Sequence, residues 1–107
     1  MDKPWLKSYP PGVPAEIDPD HYRSLVQLMD EAFHAYADRT AYICMDKRMS
    51  FGELDTLSKQ LAAFLQSQGL APGARVALMM PNVLQYPVAI AAVLRAGFTV
   101  VNVNPLY

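Results

Sequence analysis

The residue types that most often carry catalysis are few in this sequence and widely separated. A phosphate-binding loop needs closely spaced glycines ahead of a helix, because backbone amides must face the phosphate. The five glycines are instead isolated, at Gly12, Gly52, Gly69, Gly73 and Gly97. A nucleophilic triad needs a base beside its nucleophile, and the two histidines, His21 and His34, lie near no Gly-Ser-Gly elbow. These patterns predict neither a P-loop nor a nucleophilic hydrolase.

Metal and acid–base sites are not indicated either. Neither histidine has a second ligand-type residue at metal spacing. Asp30 and Glu31 are neighbours on a predicted helix and face different directions, so we interpret both as solvated surface. Cys44 is the only cysteine, which excludes an intrachain disulfide, and its apolar surroundings predict a buried core thiol. We therefore assign no catalytic, cofactor-binding or metal-ligating residue to this chain.

Two segments at the ends of predicted strands are candidates for lining a binding cleft. Residues 79–82 end one predicted apolar strand and start a helix, and residues 102–104 end another strand; ligands of open α/β sheets bind beyond the carboxyl ends of strands. The alternative is structural: Asn82 caps a helix, while Asn102 and Asn104 close a strand.

Length and charge limit the classes to which this protein can belong. The chain has 107 residues and a net charge of -1, which predicts one domain and no nucleic-acid partner. All ten acidic residues lie at or before Asp55, and only Lys59, Arg75 and Arg95 carry charge after it. Because a free-standing domain needs a charged surface, we expect this chain to be part of a larger fold. Its start lacks a secretory h-region, and we expect a cytoplasmic protein.

The elements that would position any site begin with an arm. Five of the nine prolines fall within residues 1–19, which predicts an extended Pro-rich N-terminal arm rather than helix or paired strand. Residues 20–107 form the second unit, the incomplete domain. It opens with a helix whose apolar stripe runs from Leu25 to Tyr36, and Ser24 with Gln27 fits a capping box.

The rest of the chain predicts an α/β fold with a βαβ unit and flanking helices. A strand over 40–45 turns at Asp46-Lys47 and returns briefly. Ser50 and Glu53 form a capping box for a helix whose apolar face carries Phe51, Leu54, Leu57, Leu61, Phe64 and Leu65. A buried parallel strand over 75–80, a helix over 82–97 that Asn82 caps and Pro87 bends or delays, and a strand over 98–103 complete the unit. The helix is apolar on every side, which predicts burial on every side.

Several short motifs, in order, resemble the opening of an adenylate-forming enzyme. They include Tyr36-Ala37-Asp38-Arg39, Ser50-Phe51-Gly52-Glu53-Leu54-Asp55, Gly69-Leu70 with Gly73 and Arg75-Val76-Ala77, Met80-Pro81-Asn82, Leu94-Arg95-Ala96-Gly97 and residues 101–107. The segment from Trp5 to Pro14 narrows the resemblance to bacterial long-chain fatty-acid–CoA ligases. The match implies that this chain is the N-terminal part of the large domain of such an enzyme.

The resemblance implies a reaction and its cofactors. A long-chain fatty acid and ATP, assisted by Mg²⁺, form an acyl-adenylate, and coenzyme A then takes the acyl group as a thioester. The family's catalytic motifs are absent from this chain, so we expect it to be inactive alone, with no cofactor bound. Another acyl- or aryl-activating enzyme, such as a medium-chain ligase or a peptide-synthetase adenylation domain, is the first alternative. A stand-alone, non-catalytic interaction domain is the second.

The resemblance also implies partners. These are the remainder of the chain, the fatty-acid substrate and a second copy bound through the arm, with peripheral contact at the inner membrane. We further expect the isolated chain to self-associate, because its apolar helix over 83–98 would lose its cover.

Overall fold

The computed structural model describes residues 2–107 and begins with an arm that is only partly extended. Pro4–Ser8 forms a 3₁₀ helix, so the prediction of no helix within residues 1–19 is wrong there. Proline at the start of the helix explains the difference, because its fixed φ suits a first turn, where its missing N–H is not needed. Within residues 2–107, the Cα atoms of this 3₁₀ helix lie more than 8 Å from those of every other helix and strand.

Helix α1 spans Leu25–Ala35 and begins at the predicted cap. The Gln27 amide donates to Ser24 Oγ at 3.1 Å, while Gln27 Oε1 accepts from the Arg23 amide rather than from Ser24. The predicted capping box is therefore half formed. The exposed side of α1 carries most of its polar residues, and Phe33 is its buried residue.

A two-stranded antiparallel hairpin follows, with β1 at Thr40–Cys44 and β2 at Lys47–Ser50. The turn lies at Met45-Asp46, one residue earlier than predicted, and both residues have positive φ, 49° and 64°. Two positive φ values match a type I′ turn, whose twist suits a two-residue hairpin loop. The hairpin places Met49 in the core.

Helix α2 spans Phe51–Gln66 and begins with the predicted Ser50–Glu53 capping box. Its buried residues are Leu54, Ser58 and Ala62, so the predicted apolar face is wrong at two positions. Leu57 and Phe64 are exposed instead. A prediction from hydrophobicity selects the largest apolar side chains, whereas the packed row of α2 contains the small residues that let a neighbouring helix approach.

The predicted βαβ unit is confirmed. Strands β3, Arg75–Leu78, and β4, Thr99–Asn102, pair in parallel and are joined by α3, Gln85–Arg95. Asn82 does not cap α3, because the helix starts later, with Leu84 at its N-cap position and no side-chain cap. Pro87 therefore sits at the third helical position, where the missing N–H has no intrahelical partner to lose.

Helix α3 is less buried than predicted: Ala89, Ala91, Ala92 and Val93 are buried, Gln85 is exposed, and the other residues are half-buried. Alanines dominate its contact with α2, and the shared core includes Ala62, Ala89, Ala92, Val93 and Ala96. Helices α1 and α2 and the β3–β4 pair cover α3 in part, and self-association of the isolated chain stays a prediction. Further exposed apolar surface lies on the outer face of the sheet, where the paired residues Ala77 and Val101 are exposed.

Candidate functional site

The two strand ends that suggested a cleft do meet in space. Leu78 and Asn102 are partners at the ends of β3 and β4, and the Val103 amide donates to the Leu78 carbonyl at 2.9 Å. Tyr86, in the first turn of α3, donates its hydroxyl to Asn102 Oδ1 at 2.6 Å. The strand-end region is therefore built from β3, β4 and the start of α3.

The hairpin closes one side of this region. Cys44 Sγ lies 3.6 Å from the Asn82 carbonyl oxygen, to which it can donate a weak hydrogen bond. Cys44 is half-buried rather than fully buried, a correction to its predicted place in the core. A cavity of about 270 Å³ lies between Cys44, Asn82 and Tyr86 and has no carboxylate, histidine or basic side chain among its lining residues. It offers hydrogen bonds but no acid–base pair for catalysis near neutral pH.

Of the three asparagines, one has the position expected of a cleft residue and the other two have structural roles. Asn102 faces Tyr86, as a cleft residue would, whereas Asn104 Oδ1 accepts from the Leu106 amide at 2.9 Å and so closes a turn. Asn82 contributes its backbone carbonyl, not a helix cap.

Residues 2–107 contain no cluster of three His, Cys, Asp or Glu side chains that could hold a metal ion. His21 packs edge-on against the ring of Tyr22, with ring centroids 4.5 Å apart. Within the same residues, no helix is both long enough and apolar enough to span a bilayer.

The sequence motifs did not indicate the polar network around Arg95, whose side chain is only 8% exposed. Its Nη1 donates to the backbone oxygen of Asp55 and to Ser58 Oγ, both at 3.0 Å. Its Nη2 lies 2.6 Å from Oδ1 of Asp30 and 2.6 Å from Oδ1 of Asp55. The guanidinium also lies 4.9 Å from the ring centroid of Phe33. One side chain of α3 thus holds both α1 and α2.

The signal for this network was present in the sequence. Arg95 is the one charged residue in an all-apolar helix, and a buried charge must be paired. Asp30 is exposed, as predicted, but its carboxylate also pairs with Arg95, a contact that the sequence did not indicate. Which acids would serve as partners could not be read from spacing, since they lie 40 and 65 residues away.

Arg95 sets the electrostatics of its partner. Burial raises the pKa of the Asp55 carboxyl. The hydrogen bond and charge of Arg95, together with Lys59, lower the pKa by more than burial raises it, so that it lies below its usual value. Lys59 Nζ is 3.4 Å from Asp55 Oδ1, one helical turn along α2. The ionised form of Asp55 is therefore the form that the fold stabilises.

The sequence motifs that resemble those of adenylate-forming enzymes lie at contacts between helices and strands. The amides of Phe51 and Gly52 donate to the carbonyls of Arg39 and Ala37, both at 2.9 Å. A Cβ on Gly52 would lie 3.0 Å from the Ala37 oxygen, so glycine lets the end of α1 approach the start of α2. This pair of motifs forms a backbone junction.

A second junction closes the other end of the βαβ unit. The Gly73 amide donates to the Gly97 carbonyl and the Thr99 amide to the Ala74 carbonyl, both at 2.9 Å. Gly97 has φ +88°, a conformation that glycine adopts without strain. The glycine motifs thus fix where β3 and β4 begin.

Comparison with known proteins gives one consistent picture. The sequence pattern of the family described as AMP-binding enzyme matches residues 29–107. The chain is 57% identical to a long-chain-fatty-acid–CoA ligase of Yersinia pestis and 54% identical to one of Escherichia coli O157:H7, in each case over 108 residues. Identity to 4-coumarate–CoA ligase 5 of Oryza sativa is 36% over 94 residues, which cover 83% of this chain and 17% of that protein. The two bacterial matches cover 100% of this chain, which spans 19% of the length of those relatives.

Solved structures agree on the fold. The N-terminal subdomain of Klebsiella oxytoca NpsA, in complex with 3-hydroxybenzoyl-AMSN, matches with a TM-score of 0.77 and 26% identity, covering 80% of this chain and 22% of that one. A luciferase-like enzyme of the mealworm Zophobas morio matches with a TM-score of 0.78 and 27% identity, covering 86% of this chain and 22% of that one. The α/β expectation is confirmed at this level.

Replacing Arg95 tests the importance of the buried network. Arg95→Met retains an unbranched apolar stem but removes the donors to the Asp55 carbonyl and Ser58 Oγ and the cation beside two carboxylates, and we expect a loss of about 1–3 kcal/mol in unfolding free energy. Arg75→Met, on the exposed side of β3, is the control and should change stability by less than about 0.5 kcal/mol. Urea unfolding followed by circular dichroism measures both. Equal effects of the two substitutions would contradict the role of Arg95.

Asp55 gives the network a pH dependence. Its lowered pKa means that the stabilisation is complete above the unfolded value of about 4 and is lost as pH falls through the folded value. Asp55→Asn should therefore cost about 1–3 kcal/mol at pH 7, and the difference from the unsubstituted chain should shrink as pH falls below about 4. The control is Asp38→Asn, an exposed carboxylate with no ion pair within residues 2–107. Urea unfolding at a series of pH values measures the difference, and a constant difference across pH would refute the assignment.

Proposed function

Because this chain belongs to the family of AMP-binding enzymes, we propose that it forms part of the scaffold of an ATP-dependent long-chain fatty-acid–CoA ligase. The observation that carries the proposal is identity of 54–57% across the full chain to bacterial ligases of that description. The lower identity of 36% to an aryl-activating ligase favours the fatty-acid class over the first alternative.

The proposed reaction has two steps, formation of an acyl-adenylate with release of pyrophosphate, then transfer of the acyl group to the thiol of coenzyme A with release of AMP. ATP, Mg²⁺ and coenzyme A are the cofactors that the reaction requires. The residues described here do not fit such groups: they include no phosphate-binding glycine loop and no metal-ligating cluster. We therefore assign this chain no step of the chemistry.

The contribution of this chain is positional. Arg95 fixes α1 and α2 against α3, and α3 fixes the strand ends through Tyr86 and Asn102. The remainder of the protein is the proposed partner of the exposed outer face of the sheet. The expectation that the chain is inactive alone stays a prediction.

A chimera tests the proposal directly. In the Escherichia coli ligase, the matched stretch of 108 residues is replaced by this chain, and palmitoyl-CoA formation is measured. We expect activity within about tenfold of the unaltered ligase, equivalent to a change of up to about 1.4 kcal/mol in transition-state stabilisation, because the buried contacts should be equivalent. The ligase without any replacement stretch is the negative control. A chimera that is folded by circular dichroism but inactive would contradict the proposal.

We further propose that the arm contacts a second copy of the protein. Its aromatic and aliphatic side chains Trp5, Tyr9, Val13 and Ile17 are exposed, and an ion pair of 3.3 Å between Lys3 and Glu16 holds the arm in a loop. Exposed apolar side chains on a proline-stiffened segment favour a protein contact, since little entropy is lost on binding.

Removing the arm tests this contact. Deletion of residues 2–19 from the chimera should convert a dimer to a monomer by light scattering. The double substitution Trp5→Ser/Tyr9→Ser should weaken the dimer without removing the arm. An unchanged dimer in both variants would show that the contact lies elsewhere.

We propose a cytoplasmic location with peripheral contact at the inner membrane. The support is the substrate class named for the bacterial relatives, since long-chain fatty acids partition into lipid.

A further inference from the structure

Helix α1 is attached to the rest of the fold by few contacts. Phe33 is its one buried residue, whereas α2 has three buried residues and α3 has four. In the described chain, residues 2–36 share one hydrogen bond with residues 40–107: Arg95 Nη2 donates to Asp30 Oδ1 at 2.6 Å. Regions with few buried contacts open at the lowest free energy, so α1 is the helix most able to separate from the others.

A cleft of about 350 Å³ lies between α1 and the body of the fold. Its α1 wall is formed by Leu28, Met29, Ala32 and Phe33, and the facing wall includes Phe51, Leu54, Ile90 and Ala91. No charged side chain is among its lining residues. Because protein interiors are close-packed, a cleft of this size means that α1 is incompletely packed against its neighbours.

The C-terminal end of α1 is held more firmly than its start. The amides of Phe51 and Gly52 donate to the carbonyls of Arg39 and Ala37, both at 2.9 Å, and the rings of Tyr36 and Phe51 lie 6.2 Å apart. At the other end, no residue from 2 to 24 is hydrogen-bonded to residues 40–107. A movement of α1 would therefore turn about residues 36–39.

Arg95 can release α1 without becoming an unpaired buried charge. The Asp55 carbonyl and Ser58 Oγ accept from its Nη1, and Asp55 Oδ1 lies 2.6 Å from its Nη2. These three contacts are all with α2 and remain when Asp30 departs. The Asp30 side chain is 55% exposed, so water can solvate its carboxylate. The large cost of leaving a buried charge without its partner therefore does not oppose the movement.

The closed position is favoured chiefly by Phe33. Its side chain is 5% exposed, and the Arg95 guanidinium lies 4.9 Å from its ring centroid. Opening would return this ring to water, which costs free energy in proportion to the apolar area exposed. The open form is therefore the minor state of a two-state equilibrium.

We propose that α1 and the arm form a hinged lid over this cleft, with residues 36–39 as the hinge and the Arg95–Asp30 hydrogen bond as the latch. Opening moves residues 2–35 and leaves α2, α3 and the β3–β4 pair in place. It uncovers Leu54 and Ala91, which are buried when the lid is closed. The lid is built from residues of this chain alone, so it does not depend on the ligase assignment.

Hydrogen exchange of individual amides, followed by NMR on the 107-residue chain, tests the lid. After correction for intrinsic rates, the α1 amides should exchange about tenfold faster than those of α2 and α3. Asp30→Asn retains the shape of the side chain but removes its charge, and should raise α1 exchange about fivefold. The amides of α2 and α3 should change by less than about twofold, because Arg95 keeps its contacts with α2.

Glu31→Gln is the matched control. Glu31 is the next residue of α1 and is also exposed, and within residues 2–107 it forms no ion pair. The substitution removes the same charge from the same helix, and should change α1 exchange by less than about twofold. Sodium chloride at about 1 M, where the Debye length is about 3 Å, should raise α1 exchange in the unsubstituted chain but not in Asp30→Asn.

The pattern of exchange decides between a lid and a general loss of stability. A rise of equal size in all three helices, or α1 exchange as slow as that of α2, would overturn the lid. Equal effects of Asp30→Asn and Glu31→Gln would overturn the latch. The amides of Phe51 and Gly52 locate the hinge: they should keep their exchange rates in Asp30→Asn, and a rise parallel to that of α1 would contradict a hinge at residues 36–39.

Discussion

The guanidinium of Arg95 is the constraint on which the arrangement of the three helices depends. A buried cation is tolerated only where acceptors and opposite charge surround it. The Asp30 carboxylate, the Asp55 carbonyl and the Ser58 hydroxyl accept its hydrogen bonds, and the Asp55 carboxylate pairs with its charge. Because the planar group directs its donors along fixed lines, the helices must lie where those lines end. The small residues between α2 and α3 then allow the close approach that this geometry requires.

The motifs that link this chain to its family serve the same arrangement. The Ser-Phe-Gly-Glu motif caps α2 and, through the Gly52 amide, holds the end of α1. The Gly73 and Gly97 motifs align the starts of the two parallel strands. In this chain, the sequence motifs that identify the family form backbone hydrogen bonds between neighbouring helices and strands. These hydrogen bonds position the strand ends and the clefts, and the motifs take no part in a chemical step.

Local signals in the sequence were sufficient for much of the fold and for little of the site. The capping box at Ser50, the hairpin and the parallel βαβ unit follow from patterns within a few residues of one another. The exposed Leu57, the late start of α3 and the half-buried Cys44 do not, because each depends on where another element packs. The Arg95 network is the clearest case, since its necessity could be inferred from one lone charge but its partners could not.

The contact between Arg95 and Asp30 joins residues 65 apart in the chain, which has a consequence for folding during synthesis. At translation rates of about 5–20 residues per second, Arg95 is added roughly 3–13 s after Asp30. Helix–coil relaxation takes about a microsecond, so α1 and α2 can form and dissolve many times before their shared cation exists. Helices α1 and α2 are therefore synthesised first, and they can reach their final packing only after Arg95, at the end of α3, has been added.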